Sequence, residues 1–140
     1  MIIRALTSFE EAQRAHDIEN SSLSTAWSAN QIADIPNYAV YLGAFEQELM
    51  GVASMYALAG EGQIMNIAVD PNHRRKGVAD ALMQNLIEEA YKRECEIISL
   101  EVEDGNIAAI ALYEKYGFSV AGRRKGFYNG IDALIMEKKL

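Results

Sequence analysis

With 140 residues, 50% of them apolar and 24% charged, the chain has the composition of a folded globular protein, which excludes the disordered and fibrous classes. Thirteen Lys and Arg against twenty Asp and Glu leave a formal charge of -7, so the surface as a whole repels phosphate backbones and anionic membranes and argues against nucleic acid as a direct partner. A single cysteine, Cys95, excludes an internal disulfide and a cysteine-type zinc cluster, and no apolar run approaches the ~18 residues of a membrane span.

Ile2 to Leu6 reads as a short strand. Thr7-Ser8 can cap a helix that opens on the acids Glu10-Glu11 and runs to about Ser21. A second helical stretch over Ser28 to Ile35 closes at Pro36, which disfavours helical geometry in the residue before it. From Tyr38 to Phe45, Leu49 to Leu58 and Gln63 to Val69 the texture is β-rich. Turns at Glu46-Gln47-Glu48 and at Ala59 to Gly62 separate these runs, which predicts an antiparallel meander. After Asp70-Pro71, the residues Ala79, Leu82, Met83, Leu86, Ile87 and Ala90 form one apolar stripe at helical spacing. Ile97 to Val102 reads as a strand and Asn106 to Tyr116 as a helix stopped by Gly117. Phe118 to Ala121 and Ala133 to Met136 supply the last strands.

This order predicts an α+β fold in one domain over residues 1–140. Its sheet is mixed and mostly antiparallel, of about seven strands, with about four flanking helices. A parallel pair stands at its middle, made by the strands ending at Val69 and near Val102. The opening residues carry charges and lack the apolar stretch of a signal peptide, which, with the lone cysteine, suits a reducing cytoplasmic setting.

The segment Val69 to Asp80 joins a buried strand to the strongest helix, and such a junction offers unpaired N–H groups and the positive end of the helix dipole to an anion. Gly77 admits close approach, and Arg74, Arg75 and Lys76 gather cations in an otherwise acidic chain. A basic loop that merely starts a helix and faces water is the plainer alternative. The Walker and dinucleotide fingerprints are both missing, which removes the main support for a kinase or a dehydrogenase.

On the strand Ile97 to Val102, Glu101 interrupts an otherwise apolar pattern. It is either a ligand-facing carboxylate or the solvent-exposed end of the strand. Asn106 can be a helix cap, a ligand-binding side chain, or both. Tyr113, two turns on, projects from broadly the same side as Asn106, and by spacing alone a tyrosine among Ala109, Leu112 and Tyr116 is more often core than catalytic. Trp27 and Tyr128-Asn129 fall in loops, where aromatics either line a peptide groove or anchor a small core. They are the candidate acceptor-binding residues. His16 and His73 lack ligand-type spacing, so no metal site is expected, and Cys95 reads as a small buried hydrophobe.

Arg74-Arg-Lys-Gly-Val-Ala79, preceded by Ile67-Ala-Val-Asp-Pro71, resembles the Arg/Gln-x-x-Gly-x-Gly/Ala signature of the GCN5-related N-acetyltransferases (GNAT superfamily). Within it, Asn66 to Pro71, Leu100-Glu-Val102 and Asn106-x-Ala-Ala-Ile-Ala-Leu-Tyr-Glu114 are similar to the bacterial ribosomal-protein alanine N-acetyltransferases of the RimI type. The resemblance covers essentially the whole chain. It implies the GNAT fold and acetyl-coenzyme A as co-substrate without a metal. The pyrophosphate would sit on Arg75, Lys76, Gly77, Val78, Ala79 and Asp80, and the pantetheine arm along Ile67, Ala68 and Val69, with Asn106 bonding the cofactor. It implies Glu101 as general base and Tyr113 as proton donor to the departing thiolate. Two departures stand out: Ala79 replaces the commoner second glycine, and Asp80 places a carboxylate beside the pyrophosphate site.

A neutral amine must attack the thioester, so a proton has to leave the ammonium form. For an α-amine of pKa about 8, against about 10.4 for lysine, this is easier by roughly 3 kcal/mol at neutral pH. This permits an α-amine without excluding lysine, and the resemblance to the RimI type implies a protein N-terminus, that of a ribosomal protein, as the acceptor. Lysine, a polyamine or an aminoglycoside is an alternative acceptor, and a non-catalytic acyl-coenzyme A sensor is a further one. The expected assembly is a monomer or weak homodimer, without membrane attachment.

Overall fold

The β-rich middle of the chain folds as a meander, with the first strand of the chain added at one edge and the last three at the other. In the computed structural model, which describes residues 1–22 and 26–140, the strands are β1 (Ile2–Ala5), β2 (Ala39–Phe45), β3 (Leu49–Leu58), β4 (Glu61–Val69), β5 (Ile97–Glu103), β6 (Ser119–Tyr128) and β7 (Ile131–Lys139). The helices are α1 (Phe9–Ser22), α2 (Ala29–Ala33), α3 (Val78–Lys92) and α4 (Ile107–Lys115), and Pro71–His73 forms a 3-10 turn. The sheet order is β1-β2-β3-β4-β5-β7-β6, antiparallel except where β4 meets β5.

The helix boundaries follow from their caps. The Ser8 hydroxyl accepts from the Glu11 N–H at 3.1 Å, and Ser28 and Gln31 form a reciprocal capping box on α2. The two faces of the sheet are buried separately. Val78, Leu82, Met83, Leu86 and Ala90 of α3 pack with Ile98, Leu100 and Val102 on one face, while Ala12, Ala15 and Ile18 of α1 with Ile32 of α2 cover the other. Gly51 makes the close approach of α3 possible, because a Cβ there would lie 2.8 Å from Val78 Cγ1.

The parallel pairing of β4 and β5 is short, running only from Glu61↔Ile97 to Gln63↔Ser99. Beyond it β4 stays with β3 and β5 stays with β7, so the two strands splay apart. The cause is local: Ser54 pairs with Asn66 and Met55 with Ile64, which leaves Met65 as the extra residue of a bulge that bends β4. Among the described residues no helix is long and apolar enough to cross a membrane.

The end of the chain differs from its sequence reading. β6 and β7 are long strands, so Tyr128 is the last residue of β6 and not a loop residue. β6 is a sheet edge with its residues largely exposed, and a strand wet on both faces shows no apolar alternation. The signal that would have found the hairpin is Asn129-Gly130, both at positive φ (49° and 92°) between Tyr128 and Ile131.

Candidate active site

Two clefts run on from one another along β4. The first, ≈ 510 Å³, is lined by Ile67, Ala68 and Val69, by the loop into α3, and by Asn106, Leu112 and Tyr113. Gly77 is the N-cap of α3 at φ 77° and, having no side chain, provides no cap for the first N–H groups of the helix. A Cβ at Gly77 would meet nothing within 4 Å, and Gly77, Val78, Ala79 and Asp80 all line the cleft. Arg75 also adopts positive φ (62°), which turns the loop around this mouth. Positive helix end, arginines and open space together suit a phosphate group.

Asp80, the residue that looked misplaced beside an anion, is turned towards α4. Its carboxylate accepts from Lys115 Nζ at 2.6 Å and from the Tyr116 hydroxyl at 2.8 Å. Lys115 and then Tyr116 hold its pKa below the ordinary carboxylate value, so its charge is compensated where it stands. Asn106 caps α4 by accepting from the Ala109 N–H at 3.3 Å, and it also lines the cleft. Lys76 does not line the cleft with its neighbours. Its Nζ lies 3.5 Å from His73 Nδ1, because the loop turns at Arg75 and carries that side chain away.

The second cleft, ≈ 570 Å³, is lined by Gln63 to Asn66 of β4, by Glu101 and Arg124, and by Trp27, Phe127, Tyr128 and Asn129. Glu101 lies two positions past the last β4–β5 pair, on the face opposite to the buried Ile98, Leu100 and Val102. Its carboxylate sits 3.1 Å from Arg124 of β6. Thus Glu101, Trp27 and Tyr128 come together here.

Tyr113 belongs to the first cleft, not the second. It packs edge-on to Phe118, and burial first and the nearby Tyr128 second push its phenol up to about 12. Tyr128 is raised in turn by burial and by the charges of Glu101 and Glu103. Glu101 thus faces away from the cluster of Ile98, Leu100 and Val102, against which Tyr113 packs, and Tyr128 lies near enough to both to be felt by each.

Residue-by-residue reading missed Arg124, Phe127 and Met65 on the second cleft, and His73 and Leu112 on the first. Met65 is visible only as a bulge, which is a property of strand pairing, whereas Arg124 stands in the basic run 123–125 and becomes a site residue once Asn129-Gly130 is read as a hairpin. Cys95 is buried and its thiol is pushed up by that burial, as suits an inert core residue.

Residues 5–118 match the acetyltransferase (GNAT) family. Over 122 residues the chain is 35% identical to the ribosomal protein bS18-alanine N-acetyltransferase of Escherichia coli strain K12, covering 84% of this chain and 81% of that one. It is 37% identical over 92 residues to an N-alpha-acetyltransferase of Saccharolobus solfataricus, covering 64% and 54%. The crystal structure of the ribosomal-protein alanine N-acetyltransferase from Escherichia coli superposes with a TM-score of 0.87 at 32% identity, covering 99% of this chain and 92% of the other. With the splayed parallel pair, the open helix mouth and these similarities, the chain belongs to the GNAT acetyltransferase family and is an acetyl-coenzyme A-dependent N-acetyltransferase that passes an acetyl group to an amine.

Proposed function

We propose that the acceptor is the N-terminal α-amine of a protein, of the ribosomal-protein alanine type, and that the reaction is direct transfer in the cytoplasm. The observation that carries this reading is the juxtaposition of two clefts at one bulge, a carboxylate in one and a phenol held at about 12 in the other. The similarity of most of the chain to a protein named for alanine N-acetylation supports the acceptor class.

The donor, acetyl-coenzyme A, supplies an activated acetyl thioester. The N–H groups of Val78, Ala79 and Asp80, with Arg75 and Gly77, would hold its pyrophosphate, and Ile67 to Val69 would flank the pantetheine arm. Glu101 takes the proton from the acceptor ammonium, which makes the nitrogen lone pair available for attack. Tyr113 donates its hydroxyl proton to the departing sulfur. A phenol near 12 stays protonated at any working pH, and the same dry wall that raises it also raises the proton affinity of a thiolate placed beside it.

The test is thiol release from acetyl-coenzyme A with two panels, one of peptides copying ribosomal-protein N-termini and headed by one that starts with alanine, the other of polyamines and aminoglycosides. Faster turnover on the alanine peptide, with acetate on its α-amine by mass spectrometry, is the expected result. Turnover confined to the small amines would overturn the acceptor assignment.

A further inference from the structure

Glu19 is a carboxyl group with no exposed surface, placed on α1 in the middle of an otherwise apolar contact with the sheet. An ionised group in such a place needs donors, and three converge on it. The Tyr41 hydroxyl donates to Oε2, the Asn66 side-chain amide donates to Oε1 at 3.0 Å, and the Trp27 main-chain N–H donates to Oε1 at 3.1 Å. Burial pushes its pKa up, while Tyr41, Trp27 and the nearby His16 act in the opposite direction. The sheet is built to receive it. Tyr41, Ser54 and Asn66 are register partners across β2, β3 and β4, a polar row beneath α1.

One turn before Glu19, His16 places Nδ1 2.7 Å from the Trp27 carbonyl oxygen. A carbonyl only accepts, so that nitrogen carries the proton. Trp27 stands just before the Ser28 cap of α2, outside any helix or strand, and its main-chain groups have no ladder to join. Two side chains three residues apart on one helix face, His16 and Glu19, supply both partners. The Trp27 ring is then stacked on Tyr56 at 5.7 Å and tilted against Tyr41 at 5.9 Å.

Trp27 and Asn66 are both walls of the cleft that holds Glu101. We infer that His16 and Glu19 form a clamp that positions the acceptor-binding wall: Glu19 ties Trp27 to Asn66 at the β4 bulge, and His16 fixes the other end of the Trp27 peptide unit. Neither group touches the acceptor or the donor, since neither lines either cleft. They are positioning residues for acceptor fit, and the inference rests on the reading of the second cleft as the acceptor side.

The clamp is tested with Glu19→Gln, which keeps the shape and removes the charge, and His16→Phe, which keeps a ring and removes the donor. Trp27 is the only tryptophan of the chain, so its fluorescence reports the wall without any assay of activity. The expected result for each variant is a red-shifted, more readily quenched emission and an acceptor-peptide KM raised at least fivefold. The KM for acetyl-coenzyme A and the kcat at saturating peptide should stay within twofold of the parent. Unchanged emission and unchanged peptide KM in folded variants would overturn the clamp, and so would KM values for both substrates rising together. If Glu19→Gln does not fold, His16→Phe, at a partly exposed position, decides. If the parent turns over only small amines, the protein-acceptor reading fails, while the emission and the KM for the amine actually used still decide on the clamp.

Discussion

Glu101 and Tyr113 make different demands on their surroundings, and the protein meets them in two clefts, with Glu101 on β5 and Tyr113 on α4. Glu101 is half-buried with its carboxylate 3.1 Å from Arg124, and Tyr113 is desolvated, which favours a phenol that keeps its proton until an anion appears beside it. Glu101→Gln and Tyr113→Phe should each lower kcat by about 100-fold, within the range for a positioned acid or base. Turnover within twofold of the parent in both would dismiss the roles. Asp80 makes a separate case. Its pKa is depressed by Lys115 and Tyr116, so its contribution to stability is present above the ordinary value of 3.8 and fades as pH falls through the depressed one. Asp80→Asn should therefore lower Tm at neutral pH, with the gap to the parent closing in strong acid. The KM for acetyl-coenzyme A should not rise, because the lost charge is of the donor's own sign.

At the scale of elements, the mouth of α3 and the start of α1 show opposite ways to finish a helix. α1 is capped by side chains: Glu11 accepts from Thr7 N–H at 2.7 Å and from Arg4 at 2.8 and 3.1 Å, which lowers its pKa to about 2. Since the folded value lies below the ordinary 4.5, this stabilisation is complete above that pH and is lost between about 4.5 and about 2. Melting of Glu11→Gln against the parent should show a deficit at pH 7 that has vanished near pH 2. α3 begins at Gly77 without a side-chain cap, which on the proposed reading leaves its mouth for the donor. Gly77→Ala places a Cβ on a left-handed residue, a strain of about 1–2 kcal/mol, and no neighbour is in its way. The KM for acetyl-coenzyme A should rise about tenfold as the mouth relaxes, with kcat at saturation little changed. An unchanged KM would show that the mouth does not hold the donor.

For the whole molecule, the decisive feature is that two separately covered faces meet at one gap. A ligand bridging β4, the α3 mouth and α4 ties elements that otherwise pack through different side chains, so it should act on global stability. Coenzyme A at a hundred times its Kd should add about 2.7 kcal/mol to the unfolding free energy, visible as a concentration-dependent rise in Tm. No rise would contradict binding in the first cleft. Much of this arrangement is legible in the amino-acid sequence. The stripe from Ala79 to Ala90 is set by helical period, the meander by β-rich runs and the turns between them, and the Gly77 loop by a glycine that admits close approach beside a run of cations, all of them features of residues close in the chain. The carboxylate at Glu101 was visible as a break in pattern, and Tyr113 through its resemblance to a known motif. What only the tertiary structure decided was which residues stand opposite one another. The Met65 bulge, the Arg124 partner of Glu101, the turning of Asp80 towards Lys115 and the burial of Glu19 under Trp27 all depend on strand register and helix docking. Those contacts join residues up to dozens of positions apart, and nothing in the local chain encodes which distant partner a polar side chain will meet.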